Sequence, residues 1–465
     1  MSLTKTKKDN LLAHLEAALS GDGGIAQVAQ HVVDGDITMD ELLDTGQLTS
    51  ERRKQIEAEI ERIKVDLQKR KEKEAEQQAE LDCWNKAFSE NTIVAFNNYL
   101  EQYPQGAHVS QAKTMIAGIQ ATIKNNKKED CLNELREDIN AHNTTILNRF
   151  EITFDDLKNA DIAIPDGIGD IWNDPGFNLQ YGQTPSSIPS DRTEIYFWGA
   201  PGSGKTCTLA AILSTAKKMG LFDPQKGEGR MYMTQLSSLF YKGDFATLPP
   251  PSPVEVTQGL SFDLRENGKN DVKHPVTLVE ISGEIFECFS KAINKQTIPD
   301  DGHLQTYNSL LGFLESSDNP KFHFFVIDVD NNKRDSNGLT QMDYLQDAAS
   351  YFNDNNIFNE KTAGIYILVT KSDLLDKDKN KRTQAAIDKL KNNYLNLIHS
   401  LRSIAYQHKL IDKSDKLTVI PFTLGEVYLQ DKCKFDPSMS VEVIKILQQN
   451  VAKTYIKRKW SWLNL

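Results

Sequence analysis

The chain has 465 residues, of which 39% are hydrophobic and 26% charged, and its formal net charge is −11. This length predicts two to four domains, and the hydrophobic fraction is sufficient for buried cores, which excludes a wholly disordered chain. The acidic balance argues against nonspecific nucleic-acid binding, and no apolar run is long enough to span a membrane. The polar start lacks the apolar core of a secretory signal, and the five scattered cysteines form no metal-ligand cluster. We therefore expect a cytoplasmic protein with reduced thiols.

Residues 1–150 are predicted to form a helical interaction region. Within it, residues 51–82 predict a densely charged connecting helix, whose apolar stripe includes Ile56 and Ile60 and fades after Leu67. A solvated helix between two packed regions is the favoured interpretation of this segment. A dimeric coiled coil is the alternative, although the apolar stripe lasts for few heptads.

A second helical pattern follows the charged helix. Residues 84–123 predict a helix, a turn at Tyr103–Gly106 and another helix, and residues 131–150 predict one more helix. The segment AFNNYLEQYPQGAHVSQA resembles the tetratricopeptide-like helical pairs of many bacterial proteins. A solenoid needs about three such units, so this single unit implies a small module that binds a protein partner.

Residues 151–190 are rich in Asp, Pro, Gly and Asn, and they are predicted to form a linker or docking segment. Isoleucines at 162, 164, 168 and 171 favour docking on a neighbouring surface. The remaining residues, 191–465, are predicted to form an α/β domain that carries the chemistry of the protein.

The strongest motif begins where an apolar run, Glu194–Trp198, ends. A complete G-x-x-x-x-G-K-[ST] follows it, and Cys207 then opens a helix-like segment; the motif residues are Gly199, Ala200, Pro201, Gly202, Ser203, Gly204, Lys205 and Thr206. Glycines let backbone amides cradle phosphate oxygens, Lys205 neutralises the β- and γ-phosphates, and the Thr206 hydroxyl binds Mg²⁺. The motif predicts a nucleotide site in a P-loop NTPase fold, a mostly parallel sheet flanked by helices.

The base preference is indicated by Thr370-Lys371-Ser372-Asp373, which follows the predicted strand Ile365–Val369. One carboxylate accepts both N1–H and N2–H of guanine, whereas adenine offers no such pair of donors. The tetrapeptide resembles the [NT]-K-x-D guanine-recognition element of translation-factor and Ras-related GTPases. The resemblance implies that Thr370, Lys371 and Asp373 bind the base, with the stem of Lys371 over its face.

In this family a D-x-x-G element senses Mg²⁺ and the γ-phosphate, and here Glu280-Ile281-Ser282-Gly283-Glu284 follows the predicted strand Val276–Val279. The resemblance implies that Glu280 holds Mg²⁺ and that Gly283 offers its N–H to the γ-phosphate. Glu284 takes the place of the glutamine that orients water in Ras-like domains. Both glutamates depart from the family pattern, so we expect slow hydrolysis or a catalytic group from elsewhere.

A switch threonine is expected upstream of that element. Thr257-Gln258-Gly259 follows a proline-rich stretch and resembles the Arf-type switch, which implies that Thr257 closes over Mg²⁺ and the γ-phosphate when GTP is bound. A threonine in an ordinary hairpin is the alternative. The residues between the two elements predict a hairpin with its turn at Asn267-Gly268.

The remaining patterns complete the domain. Residues 322–330 and 416–424 predict strands, and the resemblance places a backbone contact to the guanine oxygen at Thr423 and Leu424. Met439–Tyr455 predicts a closing helix. The basic, tryptophan-containing tail after it is predicted to pack its aromatic residues, and peripheral membrane contact is the disfavoured alternative.

Together these motifs resemble a Ras-like, TRAFAC-type P-loop GTPase domain of a bacterial multidomain protein, preceded by an all-α region. The resemblance implies a regulatory GTPase that binds GTP or GDP with Mg²⁺ and signals to a protein partner through switch loops and the N-terminal helices. One alternative is an ATPase of the AAA or signalling type, with Asp328 as the Mg²⁺ ligand. A non-hydrolysing pseudo-GTPase is the other.

Overall fold

The computed structural model describes residues 5–19, 24–44, 46, 48–182, 184–185, 187–250, 257–266, 269–298, 302–331, 333–335 and 337–463. The chain divides into two units, residues 1–127 and 128–465, and this division falls before the predicted boundary at residue 150. In the described ranges no helix is both long and apolar enough to cross a membrane.

The first unit is helical. Its elements are α1 (Lys5–Leu19), α2 (Gly24–Val33), α3 (Met39–Leu43), α4 (Ser50–Glu90), α5 (Ile93–Gln102) and the first part of α6 (Val109–Glu137). Thr49 caps α4 by accepting the N–H of Arg52, and Asn91 ends the helix in the left-handed conformation. The charged segment 51–82 therefore belongs to one continuous helix that also includes Trp84.

Two small cores stabilise the first unit. Ile56 and Ile60 of α4 are buried against residues of α1, α2 and α3, so the start of the apolar stripe packs within its own chain. Trp84, Phe96 and Tyr99 form the second core with residues of α6. The Tyr99 hydroxyl donates a 2.7 Å hydrogen bond to Glu80, and burial raises the pKa of Tyr99 to about 12.

The second unit begins with short helices on a small sheet. The elements are the end of α6, α7 (Thr144–Arg149), α8 (Phe154–Asn159), α9 (Asp166–Asp170), β3 (Phe245–Thr247), β9 (Gly425–Tyr428) and β10 (Lys432–Phe435), and the three strands pair in the order β3-β10-β9. Ile152, Ile168 and Trp172 are buried in one cluster with Leu429. Residues 152–172 thus pack on the rest of the second unit.

A seven-stranded sheet forms the centre of the second unit, in the order β2-β4-β5-β1-β6-β7-β8. Its strands are β1 (Thr193–Trp198), β2 (Phe222–Pro224), β4 (Gln258–Glu266), β5 (Lys269–Glu280), β6 (Lys321–Asp328), β7 (Thr362–Thr370) and β8 (Thr418–Pro421). The pairs of β1 with β5 and β6, of β6 with β7 and of β7 with β8 are parallel, whereas β4 is antiparallel to its neighbours. The predicted mostly parallel α/β sheet, preceded by an all-α region, is confirmed.

Helices cover both faces of this sheet. Successive side chains of β1 point to opposite faces and all are buried, so both faces must be covered. Ile195 and Phe197 point into one core, which contains residues of α10 (Lys205–Lys218), α11 (Arg230–Leu236) and α17 (Ser438–Leu463). Tyr196 and Trp198 point into the other, with residues of α12 (Ile285–Ile293), α13 (Gly302–Ser316), α14 (Gln341–Asp354), α15 (Lys379–Asn393) and α16 (Leu395–Gln407).

Two local predictions need correction or fall outside the description. The single helix predicted for residues 131–150 is wrong, because α6 ends at Glu137 and α7 starts after Asn143, whose side chain accepts the N–H of Ile146. Asn143 and the polar residues before it bond their own backbone and interrupt the helix. The predicted turn at Asn267-Gly268 lies outside the described residues, as do the side chains of the tail after Tyr455.

A buried polar group lies in the middle of the second core. His323 on β6 is fully buried, and its Nδ1 accepts the indole N–H of Trp198 at 3.0 Å. Burial lowers the pKa of His323 to about 3, and the nearby Lys321 lowers it further. The imidazole is therefore neutral in the folded protein at physiological pH.

We predict that His323 makes the second unit sensitive to acid. Between pH 6.5, the ordinary pKa of histidine, and pH 3 the unfolded chain binds a proton that the folded chain does not, so stability falls as the pH decreases through this window. The expected contribution is a loss of about 2 kcal/mol in the free energy of unfolding between pH 7 and pH 5.

Urea unfolding followed by tryptophan fluorescence at both pH values measures this effect. His323→Gln retains an acceptor for the Trp198 N–H and should flatten the pH dependence, whereas His399→Gln, at an exposed position on α16, should leave it unchanged. The same pH dependence in wild type and His323→Gln would contradict the prediction.

Candidate functional site

The G-x-x-x-x-G-K-T motif forms the connection between the central strand β1 and α10. Gly202 and Gly204 have φ of +73° and +83°, a backbone conformation that glycine adopts without the strain of a Cβ atom. Lys205 and Thr206 lie in the first turn of α10, where backbone amides have no acceptor within the helix. The loop and the helix start together provide the donors that bind phosphate oxygens in sites of this kind.

Lys205 is buried inside this loop. Its Nζ donates to the backbone oxygens of Gly199 at 2.6 Å and Ala200 at 3.1 Å. Burial lowers the pKa of Lys205 to about 8, and the nearby Glu280 carboxylate acts in the opposite direction. An ammonium held only by carbonyl oxygens is poorly compensated, so an anion in the loop would stabilise its charged form.

Oxygen atoms suited to Mg²⁺ converge beside Lys205. The Thr206 hydroxyl donates a 2.6 Å hydrogen bond to Glu280 at the end of β5. In the antiparallel pair of β4 with β5, Gln258 lies opposite Glu280, which places Thr257 next to the same strand end. The Thr257 hydroxyl is fully buried and has no hydrogen-bond partner among the described residues. Hydroxyl and carboxylate oxygens are the ligands that Mg²⁺ prefers, so these three residues fit the ion.

Gly283 lies against the phosphate loop. A Cβ atom at this position would be 2.4 Å from the Pro201 nitrogen, so only glycine permits this approach. Glu284 is exposed and turns its carboxylate toward His303, whose Nε2 lies 3.6 Å away. The carboxylate of Glu284 thus has a basic neighbour in His303.

The predicted base-recognition element follows β7. The Thr370 hydroxyl donates to the Ser203 backbone oxygen at 2.9 Å, which joins this element directly to the phosphate loop. Lys371 has a left-handed backbone, and its Nζ lies 2.9 Å from the carboxylate of Asp328. In the part of the chain that the structure describes, the half-buried Asp373 carboxylate makes no hydrogen bond or ion pair.

The segment predicted to contact the guanine oxygen lies next to this element, since the Ser372 N–H donates to the Phe422 oxygen at 3.1 Å. The backbone oxygen of Leu424 accepts the N–H of Asp436, whereas the N–H groups of Thr423 and Leu424 have no acceptor among the described residues.

Cys207 lies in the first turn of α10, and burial raises the pKa of its thiol to about 12. It is therefore a neutral thiol at physiological pH.

Sequence reasoning missed two features of this site. A cavity of about 300 Å³ adjoins the phosphate loop; it is lined by Ala200, Pro201, Gly283, Glu284, Phe286, Glu287, Asn331, Lys333, Arg334, Asp335, Leu339, Gln341 and Tyr344. Five of these residues lie between the end of β6 and the start of α14. The carboxyl ends of parallel strands meet at one edge of a sheet, so the basic pair after β6 was a signal that sequence analysis alone could have used.

The second missed feature is the docking of residues 178–182 and 184–185, named here the docking segment, on the start of β4. The Gly182 N–H donates to the Gln258 side-chain oxygen at 2.9 Å, and the Gln258 amide nitrogen donates back to the Gly182 oxygen at 3.0 Å. The Thr257 N–H donates to the Thr184 hydroxyl at 3.3 Å. The docking segment thus contacts the predicted switch residue directly.

No protein-family model and no curated protein matches the sequence. Among solved structures, nucleolar GTP-binding protein 1 of Plasmodium falciparum is similar over 60% of this chain and 97% of its own, with 12% identity and a TM-score of 0.24. The GTPase-like domain of Ski7 from S. cerevisiae, bound to GTP, is similar over 50% of this chain and 43% of its own, with 17% identity and a TM-score of 0.23. At these values neither structure assigns a function to this chain.

Proposed function

We propose that this protein is a GTP-binding regulator that hydrolyses GTP slowly with Mg²⁺ and relays its nucleotide state to a protein partner. The observation that carries the proposal is the attachment of the Thr370–Asp373 element to the phosphate loop through Thr370. The hydrogen bond from Thr370 to Ser203 fixes the distance between the base-recognition element and the phosphate site. A nucleotide whose phosphates lie in the loop would place its base at this element.

The charges of this element favour guanine over adenine. The Lys371 ammonium is held by Asp328, so the aliphatic stem is the part of the side chain that can contact the base. Asp373 has no partner among the described residues, and its carboxylate matches the paired donors of guanine. The unused N–H of Leu424 suits the guanine oxygen, which is an acceptor, and would meet a donor in adenine.

The same contacts disfavour the ATPase alternative. That hypothesis uses Asp328 as the Mg²⁺ ligand, but its carboxylate is buried and paired with Lys371. The carboxylate that reaches Thr206 is instead Glu280. Bound there with Thr206 and Thr257, Mg²⁺ would neutralise charge on the β- and γ-phosphates. Glu284 offers no neutral amide to orient water, so intrinsic hydrolysis should be slow.

The docking segment supplies a route by which the nucleotide state reaches other parts of the second unit. If the backbone at Thr257 moves toward the γ-phosphate, the bonds of its N–H to Thr184 and of Gln258 to Gly182 change with it. The docking segment continues from residues that pack with the end of α6, a helix that begins in the first unit. A partner bound to the N-terminal helices would sense the nucleotide through this chain of contacts.

Asp373→Asn tests the base assignment. The substitution removes the charge that accepts two guanine donors, so GTP affinity should fall about 100-fold, and XTP should become the preferred ligand because xanthine replaces one donor with an acceptor. Calorimetric titration with GTP, XTP and ATP measures the three affinities. Asp378→Asn is the matched control, because Asp378 is exposed and caps α15, a role that asparagine fills equally well. Retained preference for GTP in Asp373→Asn would reject the assignment.

Thr184→Val tests the relay. In the wild type, hydrogen–deuterium exchange of the docking segment and of β4 should differ between the GDP state and the state with a non-hydrolysable GTP analogue. Loss of the hydrogen bond to the Thr257 N–H, about 1 kcal/mol, should reduce the difference in exchange between the two states while nucleotide affinity changes by less than about twofold.

Thr184→Ser keeps the hydroxyl group and serves as the control for the relay, so it should behave like the wild type. If exchange of the docking segment in the wild type is the same in both nucleotide states, residues 178–185 do not take part in a relay.

A further inference from the structure

The cavity beside the phosphate loop has two walls of different chemistry. One wall contains Ala200 and Pro201 of the phosphate loop with Gly283, and the other contains Lys333 and Arg334 of the loop between β6 and α14. The second wall belongs to the loop between β6 and α14, here named the β6–α14 loop, whose described residues are 329–331, 333–335 and 337–340. Asn331 of this loop also reaches the phosphate loop, since its side-chain amide donates to the Pro201 oxygen at 3.4 Å.

The carboxylates of the cavity already have partners. Glu287 pairs with Lys291 at 2.7 Å, Asp335 accepts the hydroxyl of Tyr344, and Glu284 faces His303. By contrast, Lys333 and Arg334 have no carboxylate within ion-pair distance among the described residues. The ammonium of Lys333 and the guanidinium of Arg334 are therefore available to an anion that enters the cavity.

The β6–α14 loop is held in a defined conformation. Asp335 accepts the N–H groups of Asn337 and Leu339, and the Arg334 guanidinium donates to the Gly338 oxygen at 2.5 Å. At the end of the loop Thr340 caps α14, and Gln341 bonds both the N–H and the oxygen of Asp328. Donors fixed in advance stabilise developing charge without reorganisation, which is the requirement for electrostatic catalysis.

The position of the cavity identifies the anion, given the proposed function on which this inference rests. Phosphate oxygens in the loop replace the carbonyl oxygens around Lys205, and Gly283 marks the end at which the terminal phosphate lies. Pro201 and Gly283 both line the cavity, so the cavity adjoins that end. An anion that bridges both walls is therefore the terminal phosphate of a bound nucleoside triphosphate.

We propose that the β6–α14 loop supplies the cation that hydrolysis requires, with Arg334 contacting the γ-phosphate and Lys333 adding a second charge. The oxygen of a water molecule attacks the γ-phosphorus, and the bond from this phosphorus to the β–γ bridging oxygen breaks. The electron pair stays on the GDP oxygen, and the proton of the water ends on the released inorganic phosphate. Arg334 neutralises the charge that spreads over the γ-phosphate oxygens during this transfer, a role that Glu284 cannot fill.

The test compares wild type with Arg334→Ala, Arg334→Lys and Lys333→Ala in two measurements, nucleotide affinity and single-turnover hydrolysis. A cation on the γ-phosphate affects GTP but not GDP. Arg334→Ala should therefore lower the hydrolysis rate about 100-fold and the affinity for a non-hydrolysable GTP analogue about tenfold, with GDP affinity unchanged. Arg334→Lys should recover part of the rate, because it restores the charge without the planar fork.

Arg402→Ala is the matched control. Arg402 on α16 also donates to backbone oxygens, those of Lys413 and Asp415, but these residues precede β8 and so lie toward the opposite edge of the sheet. This variant should hydrolyse GTP at the wild-type rate. Titration of the GDP complex with inorganic phosphate tests whether the cavity binds free phosphate instead of the terminal phosphate of GTP. The proposal is overturned if phosphate binding depends on Arg334 while Arg334→Ala leaves GTP hydrolysis unchanged.

The outcomes also separate this inference from the proposed function. Unchanged hydrolysis and unchanged GTP-to-GDP selectivity in Arg334→Ala, in a protein that binds GTP, would reject the role of the β6–α14 loop alone. If the wild type binds ATP and not GTP, the guanine assignment fails, and the same comparison with ATP and ADP tests the loop. If the wild type binds no nucleotide, both proposals are wrong.

Discussion

The buried ammonium of Lys205 is the charge around which the site is arranged. It lies at the start of α10, where carbonyl oxygens of its own loop are its hydrogen-bond acceptors, and burial lowers its pKa to about 8. Such a group is stabilised by an anion that replaces the carbonyl oxygens. The neighbouring features follow from this requirement: amides at the helix start, a glycine at 283 that lets β5 approach the loop, and a carboxylate at 280 that bonds Thr206.

The parallel sheet explains why distant segments of the chain meet at this ammonium. Strands β1, β5, β6 and β7 run in the same direction, so the residues that follow their carboxyl ends share one edge. The phosphate loop, Glu280, Asp328 and Thr370 all stand at such ends. This regularity made the sheet, the phosphate loop and the segment after β7 predictable, since an apolar run followed by a polar motif specifies both a strand and its functional end.

Other parts of the site depend on tertiary contacts that no local pattern specifies. The pairing of Lys371 with Asp328 joins the residue that follows β7 to the end of β6, and neither residue type indicates its partner in the sequence. The docking of Gly182 on Gln258 depends on an irregular segment whose path is set by packing of Leu179 in the core. The prediction of one helix for residues 131–150 was wrong because the side-chain bond of Asn143 to the backbone outweighs the helical periodicity of its neighbours.

We propose that guanine nucleotides bind at the phosphate loop with Mg²⁺. Calorimetric titration of the nucleotide-stripped protein with GTP, GDP and ATP, in Mg²⁺ and in EDTA, tests it most directly, with Lys205→Ala as the variant that removes the buried cation. We expect binding of GTP and GDP, no heat from ATP, weaker GTP binding in EDTA and no binding to Lys205→Ala. Binding of ATP without GTP, or equal affinity in Lys205→Ala, would contradict it.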